Sequence, residues 1–270
     1  MARQPTGPPP PPVVQRLRIK YAKRGRLRFT SHRDFQRAFE RALRRGQVPM
    51  AYSAGFSPHP RISYAGAAPT GAASEAEYLE IAVTAWCDPA ALARVLDSAL
   101  PAGLDVLEVV EAATADLAGR LQASVWEIQL PGVSVQAATA AVTAFLAAEA
   151  VEVERLTKHG MRVFDARGAV LALTVTPAGE QVAKPDLSVG CAILTVVVRH
   201  TTPAVRPDDV LAGLRRVADL APPTPALVVR LAQGPLDAQG GAVTDPLAPD
   251  RDAAATAGAE APTSAGSATR

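Results

Sequence analysis

Two periods alternate along this chain, and the places where one gives way to the other mark its elements. Phe35, Ala38, Phe39, Ala42 and Leu43 recur at the spacing of one helical face. Ser31 with Asp34 three positions on is an N-terminal capping signal, and Gly46 is placed to end the helix in the left-handed conformation. Ahead of this helix, Arg16 to Ala22 reads as a strand, with a hairpin through Gly25 into Leu27 to Thr30. A stretch punctuated by Gly and Pro runs from Pro49 to Ala68. Then Glu77 to Ala85 alternates Leu79, Ile81 and Val83 with Glu80, Ala82 and Thr84, the period of a half-buried strand. Asp88-Pro89 opens a second helix carrying Leu92, Val95, Leu96, Ala99 and Leu100, and Leu104 to Val110 closes the set as a strand.

The order of elements then repeats. Ser124 to Leu130 alternates around Trp126 and Ile128, and Val135, Ala138, Val142, Phe145 and Leu146 mark a helix. Val151 to Thr157, Met161 to Thr176 with a turn at Gly168, and the β-branched run Cys191 to His200 read as strands. Pro207-Asp208-Asp209 starts a helix through Val210, Leu211, Leu214 and Val217, and Ala226 to Leu231 is a final strand. Both halves follow β-α-β-β-α-β. The predicted fold is α+β, with two tandem ferredoxin-like units at 15–115 and 120–234. The Pro-rich stretch 1–14 and the Ala/Gly/Asp/Thr/Pro stretch 235–270 lack periodicity and are expected to be disordered tails.

Composition narrows the function classes. With 270 residues and 48% hydrophobic content the chain has enough apolar surface for one or two cores. No apolar run reaches the roughly 18 residues of a membrane span. Met1 to Pro12 is Pro-rich, unlike a secretory signal, so a cytoplasmic location is expected. Cys87 and Cys191, and His32, His59, His159 and His200, are dispersed without metal-ligand spacing, and no phosphate-binding Gly loop is present. No metal or cofactor is expected, and an enzymatic role is not favoured.

Charge is the strongest departure from the ordinary. Arg16 to Arg61 holds thirteen Lys or Arg against Asp34 and Glu40, a net +11 in a chain whose total is +2, which leaves −9 elsewhere. Arg33, Arg37, Arg41, Arg44 and Arg45 lie opposite the apolar face of the first helix. A structural face would interleave Glu with Arg at four-residue spacing, and this one does not. Planar guanidinium groups match phosphate oxygens and stack on bases. Downstream, Gly55-Phe56-Ser57-Pro58-His59-Pro60-Arg61 brackets a histidine between prolines, which keeps the loop out of helix. Phe56 for stacking, His59, and Arg61 form a set suited to single-stranded RNA. His32, at the helix start, is placed to meet phosphate if the loop folds over that end. Tyr52, Tyr64 and Tyr78 are expected in the core or on a sheet face.

Several of these pieces together carry a resemblance. Tyr21-Ala22-Lys23-Arg24-Gly25, Arg28-Phe29-Thr30-Ser31-His32-Arg33-Asp34, Arg41 to Arg45, Gly55 to Tyr64 and Gly71 to Tyr78 resemble the radical SAM-linked (radical SAM-associated) bacterial protein family, a domain of unknown function. Lys158-His159-Gly160 and Val163 to Arg167 resemble its weaker later motif. The resemblance implies a link to a radical SAM/cobalamin partner protein and to modification or processing of rRNA or tRNA. This chain lacks the Cys motif that ligates a [4Fe–4S] cluster, so it would act as a separate subunit. The leading expectation is a non-catalytic RNA-binding accessory protein using Arg33, Arg37, Arg41, Arg44, Arg45, Phe56, His59 and Arg61. Two others stay open: a metal-independent endoribonuclease with His32 and His59 as base and acid, and a protein-interaction adaptor.

Overall fold

The computed structural model describes residues 10–157, 160–177 and 190–259. It is a mixed α+β protein built on one large sheet. The first half runs β1 (Gln15–Lys23), a 3-10 turn at Gly25–Phe29, α1 (His32–Arg45), β2 (Ile62–Ala65), β3 (Ala73–Val83), α2 (Pro89–Ala99) and β4 (Leu104–Glu111). After the short α3 (Leu117–Arg120), the second half runs β5 (Ala123–Pro131), α4 (Val135–Ala147), β6 (Glu152–Thr157), β7 (Gly160–Asp165), β8 (Val170–Pro177), β9 (Cys191–Arg199), α5 (Pro207–Ala218) and β10 (Leu227–Gly234). The predicted hairpin through Gly25 is the 3-10 turn instead, since the chain must leave the sheet there to start α1.

Eight strands form the main sheet in the order β4-β1-β3-β10-β5-β9-β8, with β2 paired to β3 beyond the short stretch that β10 takes up. β6 and β7 make a separate hairpin. Every pairing is antiparallel except the junction of the halves, where β10 meets β3 in parallel through only Val229↔Ala73 and Arg230↔Ser74. Each half has its own core against its own helices. Leu17, Ile19, Leu79 and Ile81 pack with Phe35, Phe39 and Leu96, while Ile128, Leu130, Leu194 and Val196 pack with Val142, Phe145, Val210 and Leu214.

A junction of two backbone pairs is weak, and side chains reinforce it. Arg230, 3% exposed, is ion-paired with the equally buried Glu77 of β3. The same guanidinium donates from Nε to Ser74 Oγ at 3.3 Å and from Nη1 to Gln233 Oε1 at 3.2 Å, and lies over the Trp126 ring. Gln233 in turn donates to the carbonyls of Ala76 and Gly66. Gly66 sits at φ +58°, and a Cβ there would come within 2.5 Å of Gln233 Oε1. Only glycine lets the loop after β2 approach this closely.

Two predicted details change. Gly46 has φ −77°, and the left-handed residue after α1 is Gln47. Gly46 is needed for another reason: a Cβ would stand 2.6 Å from Val95 of α2. The second change concerns the expected C-terminal tail. Residues 235–244 form a compact turn closed by the bridge Leu236↔Val243, Leu247 is fully buried, and Ala248–Ala259 is a helix, α6. What anchors α6 is polar, so apolar periodicity gives no sign of it. Asp250 is completely buried and accepts from Arg18 Nη1 at 2.6 and 2.8 Å, from Thr114 N and Oγ1 at 3.0 and 2.6 Å, and from Arg120 Nη1 at 3.0 Å.

Burial alone would raise the Asp250 pKa, but the bonds from Thr114, Arg18 and Arg120 outweigh it and hold the carboxyl below its ordinary value. Replacing it by Ala takes the carboxylate from Arg18 Nη1, Arg120 and Thr114 and leaves the buried Arg18 with Glu80 alone, so Asp250→Ala is expected to cost about 3 kcal/mol in urea unfolding at neutral pH. A folded pKa below the unfolded one stabilises fully above the unfolded value, near about 3.9. That contribution disappears as pH falls through the folded pKa, so the gap between wild type and variant is expected to close in acid.

Candidate nucleic-acid interface

Helix α1 forms as its sequence requires. Ser31 Oγ accepts from Asp34 N at 3.1 Å and donates to Asp34 Oδ2 at 2.7 Å. Phe35, Phe39, Ala42 and Leu43 are buried, with Phe35 stacked on Tyr21 at 4.5 Å. The opposite face exposes Arg33, Arg37, Arg41, Arg44 and Arg45. The ion pairs on this face are within the helix and long: Arg37 to Asp34 and Arg44 to Glu40, each at 3.9 Å. Arg45 donates to the Ala99 carbonyl at 3.2 Å, which directs it toward the end of α2.

The rest of the basic run behaves differently. On β1, Arg16 and Arg18 pair with Glu80 and Arg18 also with Asp250, and Arg24, just past the strand, pairs with Glu75 and Asp105. Lys23 is buried. Arg16, Arg18, Lys23 and Arg24 are thus neutralised or enclosed by the fold, while Arg26 of the 3-10 turn and the arginines of the helix are exposed.

The loop 54–60 is the tip of a hairpin. Ser53 N donates to the His59 carbonyl at 2.9 Å, His59 N donates to Ser53 Oγ at 3.0 Å, and Tyr52 bridges Pro60. Phe56 is 70% exposed and His59 and Arg61 are exposed. Tyr52 and Pro60 at its base line a small cleft with Glu40, Leu43 and Arg44 of α1. The loop therefore stands beside the C-terminal half of α1, next to Arg44. Tyr52, expected in the core, is 42% exposed there and adds an aromatic to the surface. Its place one residue before the closing Ser53 was the available signal. Tyr78 is buried on β3 and Tyr64 half-buried on β2.

His32 belongs to the other end. Its Nε2 is 3.0 Å from Gln36 Nε2, and its ring meets the Tyr64 ring edge-on at 4.9 Å. Glu40, which marks the level of the loop base, lies about 12 Å further along the helix axis. The base of the loop that carries His59 thus meets the C-terminal half of α1, whereas His32 contacts Gln36 and Tyr64 near its start. His159 lies outside the described residues. Asp165 is spent on the backbone N–H groups of Val151, Arg167 and Gly168, and the Arg167 guanidinium on the carbonyls of Leu146 and Val170. Among the described residues no group of three His, Cys, Asp or Glu side chains is arranged to hold a metal ion, and no helix is long and apolar enough to cross a membrane.

A mixed-sheet α+β protein with one uncompensated arginine face is the class that these features define. The chain belongs to a bacterial family described as "Uncharacterized protein conserved in bacteria (DUF2344)", whose model matches residues 16–207. No curated protein matches it. The matched stretch contains α1 and the 54–60 loop, and ends before Arg230 and Asp250.

Because Arg37 and Arg41 are exposed and hold nothing in place, Arg37→Glu/Arg41→Glu is expected to change unfolding free energy by no more than about 0.5 kcal/mol. A urea melt followed by circular dichroism checks this.

Proposed function

We propose that this protein binds RNA through the exposed face of α1 and the 54–60 loop, as an accessory to RNA modification or processing in the cytoplasm. The observation that carries the reading is the contrast within one basic run. Carboxylates from β3, β4 and α6 neutralise Arg16 and Arg18 of β1 and Arg24 just after it, while among the described residues none from another element pairs with Arg33, Arg37, Arg41 or Arg44. An uncompensated guanidinium row has the spacing to follow phosphates, and Phe56 and Tyr52 beside it offer faces on which bases can stack. The resemblance to radical SAM-linked proteins adds the reading that a radical SAM/cobalamin enzyme receives the bound RNA.

The same proposal extends to the fold. Each half has the strand order 4-1-3-2 of a ferredoxin-like unit: β4-β1-β3-β2 in the first, and β10-β5-β9-β8 in the second, where the β6–β7 hairpin is an insertion. We read the protein as two tandem ferredoxin-like units fused edge to edge.

Filter retention of total rRNA and tRNA by the full chain tests the function. Binding should fall steeply with salt, and Arg37→Glu/Arg41→Glu should lower the slope of log affinity against log salt by about 2, one for each phosphate that the variant no longer neutralises. Retention by that variant equal to wild type would remove the proposal.

A further inference from the structure

The junction of the halves holds a cavity of about 320 Å³, open to solvent on one side and within the size range of small-molecule sites. Sheet register builds one wall. Arg230 on β10 lies directly across from Trp126 on β5, and Ser124, two positions along from Trp126, reaches His200 at the end of β9. Ala67 of the loop after β2 and Arg206 before α5 complete the frame.

Charge distinguishes this cavity from a packing defect. Among the described residues lining it are Arg230 and Arg206 but no carboxylate. Behind Arg230 stands Lys23, 5% exposed, its Nζ 3.4 Å from the Pro69 carbonyl. Burial lowers the Lys23 pKa, and the pull of Glu77 toward the charged form is opposed by Arg230. Glu77 is the one carboxylate bonded to Arg230 among the described residues, so two buried cations share a single buried anion. Such an excess is costly in a low-dielectric interior unless an anion joins it.

The Ser124–His200 pair supplies no negative charge. His200 Nδ1 is 2.7 Å from the Leu121 carbonyl, which only accepts, so Nδ1 carries the proton. Nε2 then accepts from Ser124 Oγ at 2.6 Å. Burial, aided by the Arg230 charge against the Leu121 bond, lowers the His200 pKa and keeps the ring neutral. Arg230 also retains donors: its bonds to Ser74, Gln233 and Glu77 use three of the five N–H groups of a guanidinium.

We propose that this cavity binds a small molecule through one acidic oxyanion group, a carboxylate or a phosphate, held by Arg230 and Arg206. The site is separate from the α1 surface and independent of RNA binding.

Trp126 reports on the site. The chain has two tryptophans, so Trp86→Phe leaves Trp126 as the sole emitter. That full-length protein is titrated with sodium phosphate and, separately, sodium acetate, with chloride holding ionic strength constant. A saturable change in emission with either anion is expected in the millimolar range of so small a ligand; which anion acts identifies the acidic group. Adding Arg206→Glu should weaken the response at least about tenfold, as loss of a charge-assisted bond requires. Adding Ala67→Phe, which fills the cavity and leaves its charges in place, should abolish it. The proposal is overturned if neither anion saturates, if Arg206→Glu and Ala67→Phe leave the response intact, or if Arg37→Glu/Arg41→Glu removes it.

Discussion

The buried ion pair between Arg230 and Glu77 holds the molecule's two halves in one sheet. Each half could satisfy its own core, because its strands are backed by its own helices. What joins them is a parallel pairing of two residues on each strand, too short to define an angle between the halves. The Arg230 guanidinium adds fixed directions: one bond to each of Ser74, Gln233 and Glu77, with the Trp126 ring beneath it. Removing Glu77 would leave Arg230 without a carboxylate in an apolar medium, whereas removing Arg230 would leave Glu77 with Lys23 and the Ala68 N–H. Through Gln233 the same network holds Gly66, and with it the loop that roofs the cavity.

Placement gives the basic run two different roles. Strand β1 lies between β3 and β4 in the sheet, where acidic neighbours stand across from it, and there its arginines become structural. Helix α1 covers the sheet and turns its polar side to solvent, where only Asp34 and Glu40 are near. Net charge over the segment does not distinguish these cases. The surroundings do: Arg16 and Arg18, two apart on one face of β1, both reach Glu80 of the adjacent strand, while the arginines of α1 gather on the side of the helix turned from the sheet.

Most elements were legible because each buries one regular stripe. The α1 stripe, the caps Ser31 and Asp88, and the alternation of Leu79, Ile81 and Val83 each settle a local structure by themselves. What the chain concealed is long-range and polar. Arg230 sits in the otherwise apolar Leu227-Val228-Val229-Arg230-Leu231, and a lone charge in such a run was the one hint of a buried partner. That the partner is Glu77 depends on an alignment of strands across more than half the chain. Helix α6 escaped for a related reason, since Ala and Asp composition carries no stripe and its anchors within the helix are the polar Asp250 and Arg251. On the surface, the base of the 54–60 loop meets Arg44 and not the start of α1, where the loop would have had to fold to join His32, and that placement depends on how the hairpin packs on the helix.

The anchoring of α6 also bears on how the protein comes into being. Arg18 leaves the ribosome well before its carboxylate partner, which lies 232 positions later. Until Asp250 has emerged, a guanidinium destined for the interior must stay hydrated or rely on Glu80. Contacts of large sequence separation form slowly, because a long loop must close before they can be made. The surroundings of Arg18 are therefore completed only once α6 has been made.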